Sequence, residues 1–316
     1  MSKYNHLKSA VHTVSHEHPD WGSDKIAEFL ATTHRIDNIG SFARTIRHKD
    51  WLRRKPFKQA RILVYDIETS PNLSYHFGIW NQNIRTENIV KPWCILTWSA
   101  KWLFEDEVMS DKITSEEVED RNDERVVRSL WSLLDEADIV IAHNAKKFDN
   151  KVANARFLKY GIQPPSFYET IDTLVHSRKA FKHDSNRLDD ICKFLGFDGK
   201  METPQGLWRE AVEGDEAAIA LMDEYCQQDV RILEDVYVAL RAWIKPHPNI
   251  GLLEDTQGTT CPHCGSNNLV PDGEYRTYVN VYDNFRCNDC HGTSRSRVSS
   301  LSKQKRDNLL VSNPSR

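Results

Sequence analysis

A chain of 316 residues is long enough for one sizeable core and one or two small satellites. Nothing in it approaches the ~20 consecutive apolar residues of a membrane span, and its start lacks the apolar core of a secretory signal. A soluble, cytoplasmic protein without a membrane partner is therefore expected. The net charge of −4 hides a division, with 11 Lys/Arg against 6 Asp/Glu in residues 1–60, 23 against 35 in residues 61–255 and 8 against 5 thereafter. An acidic body between two basic ends suits a protein whose centre holds metal and whose ends meet phosphate.

In residues 1–60, Ser23 is a candidate N-cap. Ile26, Phe29 and Leu30 follow at helical spacing to about Thr33. A break at Ile36–Gly40 leads to a second helix from Ser41 to about His48, bearing Arg44 and Arg47. Helix, short turn and basic helix form a helix-turn-helix-like pattern that would hold nucleic acid, and an ordinary small bundle with a solvated basic face is the alternative. The run Arg53-Arg54-Lys55 after Trp51 is either a phosphate-binding linker or a solvated hinge.

The run from Arg61 to Val64 delivers Asp66 and Glu68 at the end of a predicted strand. Residues two apart on a strand share a face, so the two carboxylates point the same way. They persist together if solvated, protonated or clamped on cations. The stretches 74–80 and 92–100 are aromatic and β-branched enough for the next two strands of an antiparallel meander.

From Val126 through Asp135 the apolar residues fall at helical spacing, and the chain then turns into a strand, Asp138 to Ala142. This helix-to-strand change is typical of mixed α/β folds. His143-Asn144 closes the strand, and Phe148-Asp149 opens a helix over 149–160 that Gly161 ends. Asp149 is thus a third carboxylate, readable also as a first-turn acid favoured by the helix dipole.

Asp172, after a short strand, caps the next helix or serves as an outer carboxylate. Lys179, Lys182, His183 and Arg187 make a basic stretch beside it. A helix over 188–195 ends at Gly196. Residues 215–243 hold two helical patterns, and in them Tyr225 and Asp229 stand one turn apart on one face. Tyr225 alone reads as a half-buried aromatic and Asp229 alone as the N-cap of the helix after it.

The ordered set D-x-E-T (Asp66 to Thr69), N-x-x-x-F-D (Asn144 to Asp149) and Y-x-x-x-D (Tyr225 to Asp229) resembles the DEDD 3′–5′ exonucleases, specifically the tyrosine-bearing DEDDy branch. The proofreading domains of family B DNA polymerases belong to that branch. The resemblance runs from about Arg61 to Trp243 and implies an α/β fold, an RNase H-like mixed sheet flanked by helices, in a free-standing relative of the kind phages and bacteria carry. It implies catalytic roles for Asp66, Glu68, Asp149, Tyr225 and Asp229, the four acids holding two Mg²⁺ or Mn²⁺ ions. In the mechanism it implies, Asp66 bridges both ions, Glu68 and Asp229 hold the nucleophile-side ion, and Asp149 holds or orients the other. Such paired ions sit ~3.5–4 Å apart in two-metal hydrolases. Tyr225 would orient the attacking water, and Thr69, Asn144 and Phe148 would contact the substrate. Ala145 stands where many relatives have Gly or Ile.

Residues 246–260 read as a linker. Cys261-x-x-Cys264 and Cys287-x-x-Cys290 come next, two knuckles separated by a Tyr-, Val- and Thr-rich spacer. Four thiolates so spaced suit one structural Zn²⁺ in a zinc ribbon over 261–292. His263 or His291 is an alternative fourth ligand. Arg276, Arg286, Arg295 and Arg297, interleaved with Tyr275, Tyr278 and Tyr282, fit either nucleic acid or a docking protein. Residues 293–316 read as a basic disordered tail. Cys94, Cys192 and Cys226 are expected to be core thiols.

The expected organisation is thus a helix-turn-helix-like domain (1–60), an exonuclease domain (61–245) and a zinc ribbon. The expected activity is 3′–5′ exonucleolytic hydrolysis, on DNA ahead of RNA, with a replication or repair protein as a further partner. The alternatives are an RNA exonuclease or structure-specific endonuclease on the same fold, and a non-catalytic nucleic-acid-binding scaffold.

Overall fold

The computed structural model describes residues 4, 7–18, 21–48, 59–254 and 258–312. Two compact units emerge, one of residues 1–59 with 254–256, the other of residues 60–253 and 257–316. Among the described residues no helix is long and apolar enough to cross a membrane.

The first unit holds three helices, α1 (Lys8–Glu17), α2 (Ser23–His34) and α3 (Ile39–His48). No helix was expected before Ser23. α1 forms because Leu7, Val11 and Val14 recur at helical spacing and bury against Ile26, Leu30, Phe42 and Ile46. α2 ends at Arg35, whose φ of 48° is left-handed, and the Asn38 side chain accepts from the Ser41 amide at 2.9 Å. Gly40 therefore lies inside α3, not in the turn. Arg44 is exposed, whereas the side chain of Arg47 and the run 53–55 lie outside the described residues.

The second unit begins with β1 (Ile62–Thr69), β2 (Leu73–Ser74), β3 (Ile89–Lys91), β4 (Ile95–Trp102) and β5 (Met109–Lys112). Helices α4 (Ser115–Glu119) and α5 (Glu124–Glu136) lead to β6 (Ile139–Ala142), α6 (Asp149–Lys159) and β7 (Glu169–Asp172). Then come α7 (Thr173–Ala180), α8 (Leu188–Leu195), α9 (Leu207–Val212) and α10 (Glu216–Leu240). The five-stranded sheet has the order β5-β4-β1-β6-β7, with β1 antiparallel to β4 and parallel to β6. The meander expected over 74–80 is corrected, since only Ser74 of that stretch lies in a strand, at the end of β2, and the place beside β4 goes to β5. Tyr75, Phe77, Ile79 and Trp80 are exposed, so their β-propensity finds no face to bury against.

Side chains alternate between two cores along β1, and this alternation aims the acids at its end. Leu63, Tyr65 and Ile67 point into one core, with Leu130 and Leu134 of α5 and Phe157 of α6. Ile62 and Val64 point into the other, with Ile191 of α8 and Val230, Leu233 and Val236 of α10. Asp66 and Glu68 continue this second series toward α10.

α10 is one helix of 25 residues, capped by Asp215, whose side chain accepts from the Ala218 amide at 2.9 Å. The sequence suggested two helices, but no Gly or Pro interrupts 216–240, so the helix runs through. Asp229 is consequently mid-helix and caps nothing. Asp223 ties α10 to the sheet by accepting from Thr97 at 2.8 Å and Ser110 at 3.2 Å, and Glu234 pairs with the buried Lys101.

Asp123, fully buried, accepts from the Ile95 amide at 2.7 Å and Tyr160 at 2.6 Å, and pairs with Arg156. Removing one partner of such a pair leaves the other charge buried without its counterion. Arg156→Met is expected to cost about 3 kcal/mol of stability, the lower end of the range for broken buried pairs, because Asp123 keeps two donors. Denaturant unfolding checks this, and a loss below ~1 kcal/mol would show that the pair is not structural.

Beyond α10 the second unit continues into β8 (Leu269–Arg276), β9 (Val281–Cys287), β10 (Thr293–Arg295) and α11 (Lys303–Asp307). The three strands form an antiparallel sheet of order β10-β9-β8. β10 lies past the expected boundary at 292, and the stretch after it is ordered, with the Ser300 amide bonded to the Val281 carbonyl at 2.9 Å. The described part of the expected linker is also ordered. Ile250 is buried in the core of the second unit and its amide bonds to the Pro262 carbonyl at 3.0 Å, while His247 accepts or donates to Tyr237 at 2.9 Å and meets the His263 ring. Apolar Ile250 draws the segment in, whereas residues 255–257 lie outside the described residues.

Candidate active site

β1 brings Asp66 and Glu68 to the edge of the second core, where α10 presents Tyr225 and Asp229. One carboxylate oxygen each from Asp66, Glu68 and Asp229 lies within 4.8 Å of the others. Three acids from distant parts of the chain thus converge. Asp149 stands outside that group of three, at the N-terminus of α6, with Phe148 before it. α6 is held against the sheet by Tyr65, whose hydroxyl donates to Asn150 at 2.5 Å, and by Asn150, which donates to Thr170 at 3.0 Å. This tie places Asp149 close enough for the Asp66 charge to act on it.

The electrostatics favour a cation. Burial first, then Asp229, pushes the Asp66 carboxyl up to about 7. Burial, then Asp66 and Asp229, pushes Glu68 up to about 8, with Lys200 and the Trp208 side chain opposing the rise. Asp149 is raised by burial and by Asp66, and both its carboxylate oxygens are buried without a hydrogen-bond partner, as is Oδ1 of Asp229. Buried oxygens without donors cost free energy unless something coordinates them. Hard oxygen donors in this number fit a divalent ion such as Mg²⁺ or Mn²⁺.

These shifts set a pH dependence whose sign comes from linkage. Each carboxyl holds its proton more tightly folded than unfolded, so in the absence of divalent metal the acids destabilise the fold progressively as pH rises from about 4 toward 8. Mg²⁺ or Mn²⁺ competes with those protons. Thermal unfolding is therefore expected to show a larger stabilisation by Mg²⁺ at pH 8.5 than at pH 6. An equal or smaller effect at pH 8.5 would contradict it.

Tyr225 and Asp229 share a partner that no motif announced. Lys200 donates to the Tyr225 hydroxyl at 3.0 Å and pairs with Asp229. Burial opposes its charge, but Asp229 and Tyr225 outweigh burial and raise its pKa. Burial lifts the Tyr225 hydroxyl to about 12 despite Lys200, so at neutral pH it is a neutral donor and acceptor. Trp208 closes the other side, its ring edge-on to Tyr225 at 6.1 Å between centroids.

Asn144 has a left-handed φ of 76°, and Asp172 holds this turn by accepting from the amides of Asn144 and Lys146, both at 3.1 Å. Asp172 also caps α7 through the Val175 amide at 3.2 Å, the capping role expected of it. Phe148 is exposed and Thr69 comes after a register shift at the end of β1. A cleft of about 680 Å³ opens beside Tyr225, lined by Asn144, Arg178, Arg187 and Lys200 among others.

The four cysteines of the two knuckles also converge, one sulfur each within 4.8 Å of the rest. Cys261 and Cys290 sulfurs lie 3.6 Å apart, as do those of Cys264 and Cys287. That is too long for a disulfide and close to the edge of a tetrahedron with ~2.3 Å metal–sulfur bonds, about 3.8 Å. The set fits one zinc ion. Cys94, Cys192 and Cys226 are buried, and the Cys226 thiol lies 3.7 Å from the Asp66 carboxylate.

A family model of the RNase H superfamily matches residues 63–241, more than half of the chain. The chain belongs to the RNase H superfamily. A relative, the DNA polymerase III PolC-type of Ureaplasma parvum serovar 3, is 24% identical over 278 residues, 80% of this chain but 17% of that protein. The chain thus spans about a sixth of that relative's length. A family B DNA polymerase from the archaeon Pyrobaculum calidifontis aligns over 60% of this chain and 25% of its own, with a TM-score of 0.43 and 16% identity. In the present chain the central strand of the sheet, β1, carries two of the four acids, and the helices α6 and α10 carry the others. Of the residues expected from the sequence, the structure brings Asp66, Glu68 and Asp229 together, with Tyr225 beside Asp229 on the shared partner Lys200. Sequence reasoning missed Lys200 and Trp208, which lie in a segment without periodicity and reach the acids only through the tertiary fold.

Proposed function

We propose that this RNase H superfamily protein is a 3′–5′ exonuclease of the tyrosine-bearing DEDD type, acting on DNA ahead of RNA. The observation that carries the reading is the convergence of Asp66, Glu68 and Asp229 beside a neutral Tyr225 hydroxyl. Asp66, Glu68, Asp149 and Asp229 would hold two Mg²⁺ or Mn²⁺ ions, which supply Lewis-acid activation of the phosphate and of water. Tyr225, fixed by Lys200, orients the attacking water and is too weak an acid to serve as its base. Lys200, Arg178 and Arg187 draw the phosphate backbone into the cleft, while Asn144, Thr69 and exposed Phe148 meet the strand end.

The domain plan of the proposal is a helix-turn-helix-like unit over 1–60, in which Arg44 and Arg47 bind phosphate, the exonuclease over 61–245, and a zinc ribbon over 261–292 extended by β10. In this reading the protein works in the cytoplasm with a replication or repair partner, as the name of its PolC-type relative suggests.

The test is digestion of end-labelled single-stranded and duplex DNA and RNA with Mg²⁺ or Mn²⁺. Stepwise shortening from the 3′ end, faster on DNA, is the expected result. Internal cuts would replace exonuclease with endonuclease, and binding without cleavage of any substrate would leave a scaffold.

A further inference from the structure

A second cavity, of about 880 Å³, is lined in part by Trp208, whose ring also meets Tyr225 edge-on. Its volume is within the range of small-molecule sites. Trp208, Leu73 and Val212 supply an aromatic plane and aliphatic walls, and Arg121 and Arg209 supply guanidinium groups. Arg121 is the unusual member. It is 6% exposed, its Nε has no hydrogen-bond partner, and among the described residues its one side-chain hydrogen bond is to the Cys94 sulfur, 3.9 Å from Nη1. Among the described residues no carboxylate pairs with it. A buried cation without a counterion is costly, and Arg is the residue best shaped to meet a phosphate.

The carboxylates of the cavity do not serve it. Glu116, Glu119 and Glu213 lie toward the rim, where water screens them, and the Lys91 ammonium is engaged by the Glu119 carbonyl at 2.8 Å. The deep charge is positive and the outer charge mixed. A ligand that puts an anion inward and a flat apolar surface against Trp208 satisfies both.

We propose that this cavity binds a nucleoside monophosphate, its phosphate on Arg121 and Arg209 and its base on Trp208, at a site separate from the acids. The choice of a mononucleotide rests on the nuclease reading, because hydrolysis from a strand end releases that product.

Binding of dAMP, deoxyadenosine and inorganic phosphate to the full chain is measured by calorimetry without added divalent metal. The expected result is one dAMP site, with phosphate and deoxyadenosine each weaker. Loss of a charged hydrogen-bond partner is expected to weaken dAMP about tenfold or more in Arg121→Gln. Arg209→Glu, at an exposed position, weakens it too and decides the matter if circular dichroism shows Arg121→Gln unfolded. Asp66→Ala leaves binding unchanged, so the outcome does not depend on whether the acids cleave nucleic acid. Binding that needs Mg²⁺ and vanishes in Asp66→Ala, binding indifferent to both arginine variants, or phosphate as tight as dAMP would each overturn the assignment.

Discussion

Asp66→Ala is expected to lower metal-dependent phosphodiester cleavage by ~10³-fold or more, since in the proposed mechanism Asp66 would hold the metal and its loss would remove roughly 4 kcal/mol of transition-state charge stabilisation. The same variant is expected to unfold at a higher temperature than wild type when no divalent metal is present. Asp66 sits beside Glu68 and Asp229 with its carboxyl held up to about 7, so its deprotonated form opposes folding at pH 8. Its weak contact with the Cys226 thiol returns little. A variant that is more stable and inactive separates a site under strain from a residue that merely supports the fold. Cleavage rates on a 3′-recessed labelled strand and thermal unfolding in metal-free buffer at pH 8 check the two halves. Activity within tenfold of wild type would remove Asp66 from catalysis.

If the four cysteines hold one zinc as proposed, Cys287→Ser is expected to abolish its binding and to unfold β8, β9 and β10 as a unit. The three strands have little core of their own beyond the four cysteines and Leu269. Structural zinc in small modules contributes about 10–16 kcal/mol of apparent binding free energy, which is folding free energy when no other core exists. Cys287 is fully buried at the end of β9, where its amide also bonds to the Gly292 carbonyl at 3.0 Å. Elemental analysis and limited proteolysis read the effect, with rapid cleavage expected between residues 261 and 300 while the body from β1 to α10 resists. A variant that keeps its zinc and its resistance would make these cysteines ordinary core thiols.

Local signals carried much of this. D-x-E at the end of an apolar run gives two carboxylates on one face, because a strand repeats every two residues whatever surrounds it. Tyr225 and Asp229 share a helix face for the same kind of reason, and Gly161 and Gly196 end their helices with the positive φ that glycine tolerates, 64° and 78°. Where periodicity was weaker the reading failed. The stretch 74–80 has strand propensity but no sheet edge to pair with, and the two helical patterns of 215–243 fuse because nothing in the backbone stops them.

The sequence by itself determined which side chains could hold metal, since the chemistry of four acids and four thiols is written in residue type and short spacing. Only the tertiary structure decided which of them meet. Burial of Ile62 and Val64 against α8 and α10 aims Asp66 and Glu68 at the distant Asp229, and the tie from Tyr65 to Asn150 brings Asp149 within reach of the Asp66 charge. Lys200, Trp208 and the deep Arg121 have no local signature at all. Their roles come from what surrounds them, and burial, which raises the cost of every unpaired charge, is a property of the fold.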